Sequence, residues 1–152
     1  MDWTIGRDWN EGILTLIQRP NGKIERLAAL SLFDHCSRKK LAAIARLVDF
    51  VQVEPGAKVI REGEPAAQVV IVSRGTLQIQ RDGAGAGLAG KGEIFGEMEV
   101  LGRLPYSESL IAKNRAEIGI IGAREFLDLL ETAPCLALKV LRRAARGRQE
   151  VA

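Results

Sequence analysis

Apolar residues along the chain change their spacing twice. From residue 23 to residue 50 they recur at helical intervals: Ile24, Leu27 and Leu30, then Leu41, Ile44, Ala45 and Val48. Ser31-Leu32-Phe33 separates the two runs, and Ser37 is placed to cap the second helix. From Phe50 the period falls to two. Val51 and Val53, then Val59 and Ile60, flank a turn at Pro55-Gly56. Glu62–Pro65 makes a second turn, and Val69–Val72 is a short, wholly apolar strand. Arg74-Gly75 turns into Leu77 and Ile79, which alternate with Gln78 and Gln80. Asp82–Gly92 reads as a glycine-rich loop, and Ala116–Ile121 as a strand with Gly119 inside it. Helical spacing returns at Ala123–Glu131, with Phe126, Leu127 and Leu130 on one face. After Thr132-Ala133-Pro134 a last helix carries Leu136, Leu138, Val140 and Leu141. Short strands punctuated by glycine turns and flanked by helices predict an α+β chain built on a β-barrel, jelly roll or roll.

Residues 1–22 read as a separate arm. Ile13, Leu16 and Ile17 fit one face of a helix, Asn10 is its N-cap, and Pro20-Asn21-Gly22 ends it. Both tryptophans, Trp3 and Trp9, fall in this arm, which either packs on its own domain or docks a partner. The chain's 152 residues suffice for one domain with a core of its own. A net charge of +3 is too mild for a nucleic-acid interface. The basic cluster Lys139, Arg142, Arg143, Arg146 and Arg148 reads as a solvated helix end. Cys36 and Cys135 form no C-x-x-C pair and are expected as buried free thiols, although spacing does not exclude a bond between them. No apolar run reaches the roughly 20 residues a membrane helix needs, and Met1-Asp2-Trp3-Thr4 opens no signal peptide, so a cytoplasmic location is expected.

The chemistry concentrates between Gly92 and Ala112. Gly92 and Gly96 bracket Ile94-Phe95; then come Glu97, a short run with apolar Met98, Val100 and Leu101, a turn at Gly102–Pro105, and a strand-like run from Tyr106. Glycine at position 96 permits a close backbone approach to a ligand or a neighbouring chain. Exposed N–H groups at the start of a following helical turn would favour an anion. The same pattern also fits a plain bend between two strands.

This stretch resembles the phosphate-binding cassette of cyclic nucleotide-binding domains, the modules found in catabolite activator protein and in the regulatory subunit of protein kinase A. The family's cassette reads Phe-Gly-Glu, a short helix, then Arg-Ser/Ala-Ala before a strand. Phe95-Gly96-Glu97 and the apolar helix match, and Pro105 stands where many members carry proline. Tyr106 takes the place of the family's arginine, Ser107 fits the next position, and Glu108 replaces alanine. The resemblance spans roughly residues 27–131 and implies an eight-stranded β-roll flanked by N- and C-terminal helices. On this reading residues 23–152 form the domain: helices over 23–50, the roll over 51–122, and C-terminal helices over 123–152. It also implies that the last helix caps the ligand or dimerises. No DNA-binding domain of the activator type is expected after it.

The implied ligand site comprises Phe95, Gly96, Glu97, Met98, Arg103, Tyr106, Ser107 and Glu108. By resemblance Glu97 accepts from a ribose 2′-hydroxyl, and Ser107 with nearby backbone N–H groups faces the phosphate. Tyr106 offers one neutral hydroxyl where the family has a bidentate cation, and Glu108 threatens repulsion. Arg103, the basic residue within the turn, is the candidate substitute. Cyclic AMP binding is therefore expected to be weak or lost, with another small ligand, a protein partner, or a second copy held through residues 1–22 or the last helix as the working contact. A genuine cyclic AMP sensor is the alternative. No enzyme is expected: one histidine, His35, precedes the roll and supports neither a metal site nor a Ser/His/Asp triad, and no cofactor or metal is implied.

Overall fold

The computed structural model describes residues 13–15 and 20–151. Eight strands make the roll: β2 Asp49–Val53, β3 Lys58–Ile60, β4 Gln68–Arg74, β5 Leu77–Arg81, β6 Ala84–Ala89, β7 Ile94–Phe95, β8 Ser109–Ala112 and β9 Ala116–Gly122. They form two antiparallel sheets, one ordered β2-β9-β4-β7 and the other β3-β8-β5-β6. A further strand, β1 (Ile13–Thr15), extends the first sheet by pairing with β2. Helices α1 (Pro20–Ala28), α2 (Arg38–Ala45), α4 (Ala123–Thr132) and α5 (Pro134–Val151) lie outside the roll, and the short α3 (Glu97–Gly102) sits inside the cassette.

Two apolar clusters hold these layers together. Inside the roll, Val51, Val70, Val72, Ile118 and Ile120 from the first sheet meet Val59, Leu77 and Leu110 from the second. On the other face of the first sheet, Phe50, Val69, Ile71 and Ile121 meet Leu27, Leu30, Leu32, Phe33, Ile44, Phe126, Leu136 and Val140. Strands β4 and β9 are thus covered on both faces. That is why residues 69–72 are apolar without alternation: each side chain enters one core or the other. A Cβ on Gly119 would stand 3.0 Å from Val48 and 3.2 Å from Phe50, so glycine makes room on β9 for the side chains of Val48 and of Phe50, its cross-strand partner on β2.

Several expectations are corrected. Ile13–Thr15 is a strand rather than part of a helix, because the open edge of β2 supplies backbone partners, and β-branched Ile13 and Thr15 suit that setting. Trp3, Trp9, Asn10, Leu16 and Ile17 lie outside the described residues. Pro20-Asn21-Gly22 opens α1 instead of ending a helix; proline is tolerated in a first turn, whose N–H groups have no helical partner. Ala84–Ala89 is strand β6, paired with β5, and not loop. Its turn is Asp82-Gly83, both at positive φ (52° and 79°), as a two-residue hairpin requires. On α4 the buried face is Phe126 and Leu129, while Leu127 points outward. On α5 only Leu136 and Val140 of the four predicted apolar residues are buried; Leu138 and Leu141 are exposed. The break at Ser31–Phe33 is a 3-10 turn, and Ser37 caps α2 as expected, accepting from the Lys40 N–H at 3.1 Å.

Cys36 and Cys135 are bonded to each other, with Cα atoms 5.3 Å apart. The expectation of free thiols is therefore overturned. Helical packing of the turn at residues 31–33 against the start of α5 brings together two cysteines separated by 99 residues, a proximity that sequence spacing does not reveal.

Candidate functional site

The cassette hangs from β4. β7 pairs with it through Val70↔Phe95 and Ile71↔Ile94, and α3 follows at once. Gly96 joins the two at φ +87°, and a Cβ there would lie 2.8 Å from the Gln68 carbonyl oxygen and 3.1 Å from Tyr106 Cε1. Glycine is required on both counts. The close approach is to the chain's own strand β4, and it seats the cassette against the roll.

Beside the cassette is a cavity of about 750 Å³. Its walls come from four places: the cassette, the β5–β6 hairpin through Ile79, Arg81 and Leu88, α5 through Lys139, Arg143 and Arg146, and the 3-10 turn through Ser31. Phe95, Gly96, Glu97, Met98, Ser107 and Glu108 all line it. Arg103 and Tyr106 do not. Arg103 sits in a left-handed C-cap of α3, exposed to solvent.

Tyr106 turns into the roll, where it is 9% exposed and belongs to the interior cluster. Its hydroxyl donates to the Gln68 carbonyl at 2.7 Å and accepts from the Gln68 N–H at 3.1 Å. Both hydrogen-bonding capacities of the phenol serve β4. Burial pushes its pKa above the ordinary phenol value of 10.0, with the backbone hydrogen bonds to Gln68 and Ala67 opposing. Nothing about Tyr106 points a donor at the cavity.

Glu99 explains the rest. It is buried, at 6% exposure, and its Oε2 accepts from the Ser107 N–H at 3.1 Å and, at short range, from the Ser107 hydroxyl. The backbone and side-chain donors of Ser107 are thus both used by a carboxylate of the same cassette. Glu108, expected as the repulsive group, instead accepts from Arg81 Nη2 at 2.9 Å and Nε at 3.1 Å across the β5–β8 pairing. The carboxylate beside Ser107 is that of Glu99. An anion brought to about 4 Å from it meets roughly 4 kcal/mol of repulsion at an effective dielectric of 20. That is near three orders of magnitude in affinity.

Sequence reading missed Glu99, Arg81, Gln68 and the α5 cations. Glu99 carried a signal: a carboxylate between Met98 and Val100 in an otherwise apolar run is either solvated or paired with something specific. Arg81 and Gln68 carried none, since only the β5–β8 register brings Arg81 to Glu108, and only the inward turn of the Tyr106 side chain brings its hydroxyl to Gln68. Among the described residues no group of three His, Cys, Asp or Glu side chains is placed to hold a metal ion. Nor is any helix among them long and apolar enough to cross a membrane.

Residues 50–133, more than half of the chain, match the cyclic nucleotide-binding domain family. The chain belongs to that family. A putative potassium channel protein of Rhodopseudomonas palustris is 29% identical over 75% of this chain, which spans only 28% of that protein's length. Among solved structures, the regulatory subunit of a cAMP-independent protein kinase A from Trypanosoma brucei superposes with a TM-score of 0.73 at 22% identity, over 84% of this chain and 47% of that one. A triple mutant of the same subunit, with glutamate changed to alanine and, seven residues on, adjacent threonine and valine changed to arginine and alanine, is bound to cAMP in its A site. The equivalent subunit from Trypanosoma cruzi, bound to guanosine, superposes with a TM-score of 0.71 at 20% identity, over 84% of this chain and 46% of that one. These likenesses establish the fold.

Proposed function

We propose that the chain is a non-enzymatic regulatory module whose cassette is closed to cyclic nucleotides by its own Glu99 and accepts a small ligand without a phosphate, of the nucleoside class. The observation that carries this reading is the Glu99 carboxylate bonded to the N–H and hydroxyl of Ser107. A cyclic phosphate would have to displace it, with no arginine at position 106 to repay the loss, because Tyr106 stands there and is committed to Gln68. Glu97 and Glu99 are acceptors, suited to ligand hydroxyls, and Ile79, Leu88 and Met98 offer apolar surface for a flat base. The trypanosomal relatives support the reading. The substituted glutamate, threonine and valine of the mutant bound to cAMP have the spacing of Glu99, Tyr106 and Ser107, and the other relative holds guanosine.

Calorimetric titration tests it. Adenosine or guanosine should bind saturably, and cyclic AMP and cyclic GMP should give no heat at millimolar concentration. The variant Glu99→Ala/Tyr106→Arg/Ser107→Ala should gain cyclic AMP binding. Micromolar cyclic AMP binding by the wild type would sink the proposal and favour the sensor alternative. A second reading rests on Leu138 and Leu141, which are 51% and 60% exposed on α5: a protein partner or a second copy meets this face. Sedimentation of Leu138→Glu/Leu141→Glu against wild type checks self-association. The cytoplasm is the proposed location, where reductants reach the Cys36–Cys135 bond.

A further inference from the structure

We infer that the Cys36–Cys135 disulfide is a reversible redox latch on the α5 wall of the cavity, opened by a dithiol reductant. Cys36 follows the 3-10 turn Ser31–Phe33, and Cys135 is in the first turn of α5. Ser31 and the α5 side chains Lys139 and Arg143 line the same cavity, so the bond ties together two pieces of one wall. The Asp34–Lys139 ion pair crosses the same seam at 3.8 Å, with Asp34 53% exposed; such a pair holds weakly in water.

Among the described side chains of α5, the buried ones fall in its first two turns. Leu136 and Val140 are buried there, and the disulfide is beside them. Beyond Val140, Leu141, Arg142, Ala145 and Arg146 are exposed, and Arg143 and Ala144 are half-buried. The cavity-lining part of the helix therefore overhangs its anchor. Both cysteines are partly accessible, which a thiol–disulfide exchange requires. One thiolate of the dithiol attacks a sulfur of the pair, forming a mixed disulfide and releasing the other cysteine as a thiol. The second thiol of the reductant then displaces the remaining cysteine and closes its own disulfide. Two electrons pass to the protein, and Cys36 and Cys135 leave as thiols. The turn and the helix are then joined only by packing and by the weak ion pair, and α5 is free to swing about the Thr132–Pro134 joint. This latch is independent of which ligand the cavity takes.

Hydrogen exchange with mass spectrometry, on the full chain before and after dithiothreitol treatment, tests the inference. Intact mass after alkylation should show no modified cysteine before reduction and two after it. Within a labelling window of minutes, amides of residues 134–146 and 31–37 should exchange faster by on the order of tenfold or more. Those of β4 and β9 should stay protected. Reoxidation with oxidised glutathione, once the dithiothreitol is removed, should restore the original pattern, and Cys36→Ser should match the reduced protein without any reductant. Two alkylated cysteines after exposure to that oxidant would mean that the bond does not form. Unchanged exchange in α5 would mean that the bond is inert. Loss of protection in β4 and β9 within the same window would make it a staple of the whole domain. Each of these three outcomes overturns the latch.

Discussion

Tyr106 and Glu99 show how two side chains decide the chemistry of a cassette whose frame is otherwise intact. Tyr106 satisfies both backbone groups of Gln68, so Tyr106→Phe removes two hydrogen bonds at a buried position. It should destabilise the protein by about 1–3 kcal/mol, measured by urea denaturation. The same residue gives a pH signature. Its folded pKa lies above the unfolded one, so the folded chain keeps the phenol proton longer. That contribution to stability is intact below about pH 10 and is lost as pH rises through the folded value. Tyr106 is the only tyrosine, so tyrosinate absorbance reports it alone and should titrate above pH 10. A midpoint at or below 10 would mean that the phenol is not held as described. The exchange of Arg for Tyr was legible from sequence because position in a motif is legible. The pairing of Glu99 with Ser107 was not, since it depends on a helical turn bringing residues eight apart into contact.

Element by element, the polar contacts show which pieces are fastened and where. Arg26 of α1 reaches Glu117 of β9 at 2.9 Å and lies 5.6 Å over the Phe50 ring, while the Ser73 hydroxyl donates to the same carboxylate oxygen at 2.8 Å. Glu117 is 3% exposed, so loss of its cation leaves a nearly buried charge. Arg26→Ala should cost roughly 3 kcal/mol, at the low end for buried pairs because Arg26 is itself 25% exposed. Arg26→Ala/Glu117→Gln should recover most of that loss in a double-mutant cycle. If it does not, the pair is incidental and Arg26 acts by packing alone. None of this was visible in the helical spacing of Ile24, Leu27 and Leu30, which marks the buried face of α1 but not what its arginine meets. The β6 strand was missed for a related reason. Alanine and glycine have low strand propensity, and the pairing with β5 overrides it. The Asp82-Gly83 turn signal was nevertheless present in the sequence.

At the scale of the whole molecule, β4 and β9 unite two cores into one structure. Ile118 faces the roll interior and Ile121 the helical layer. Ile118→Ala and Ile121→Ala should each cost about 2–5 kcal/mol, since neither site is open to solvent. Both variants should unfold in a single urea transition with coincident far-UV circular dichroism and Tyr106 absorbance, because the two cores share the first sheet. Separate transitions for the two probes would show that the helical layer and the roll are independent units.

The order of helices, roll and helices, most strand positions, and the cassette with its missing arginine follow from the sequence, because period, turn residues and motif spacing are local properties. Contacts between distant segments were decided only by folding. Tyr106 turns inward to β4, Glu108 pairs with Arg81 across two strands, and Cys36 meets Cys135. Each depends on strand register or on the seating of a helix, and those are fixed by the burial of both faces of one sheet rather than by any short stretch of chain.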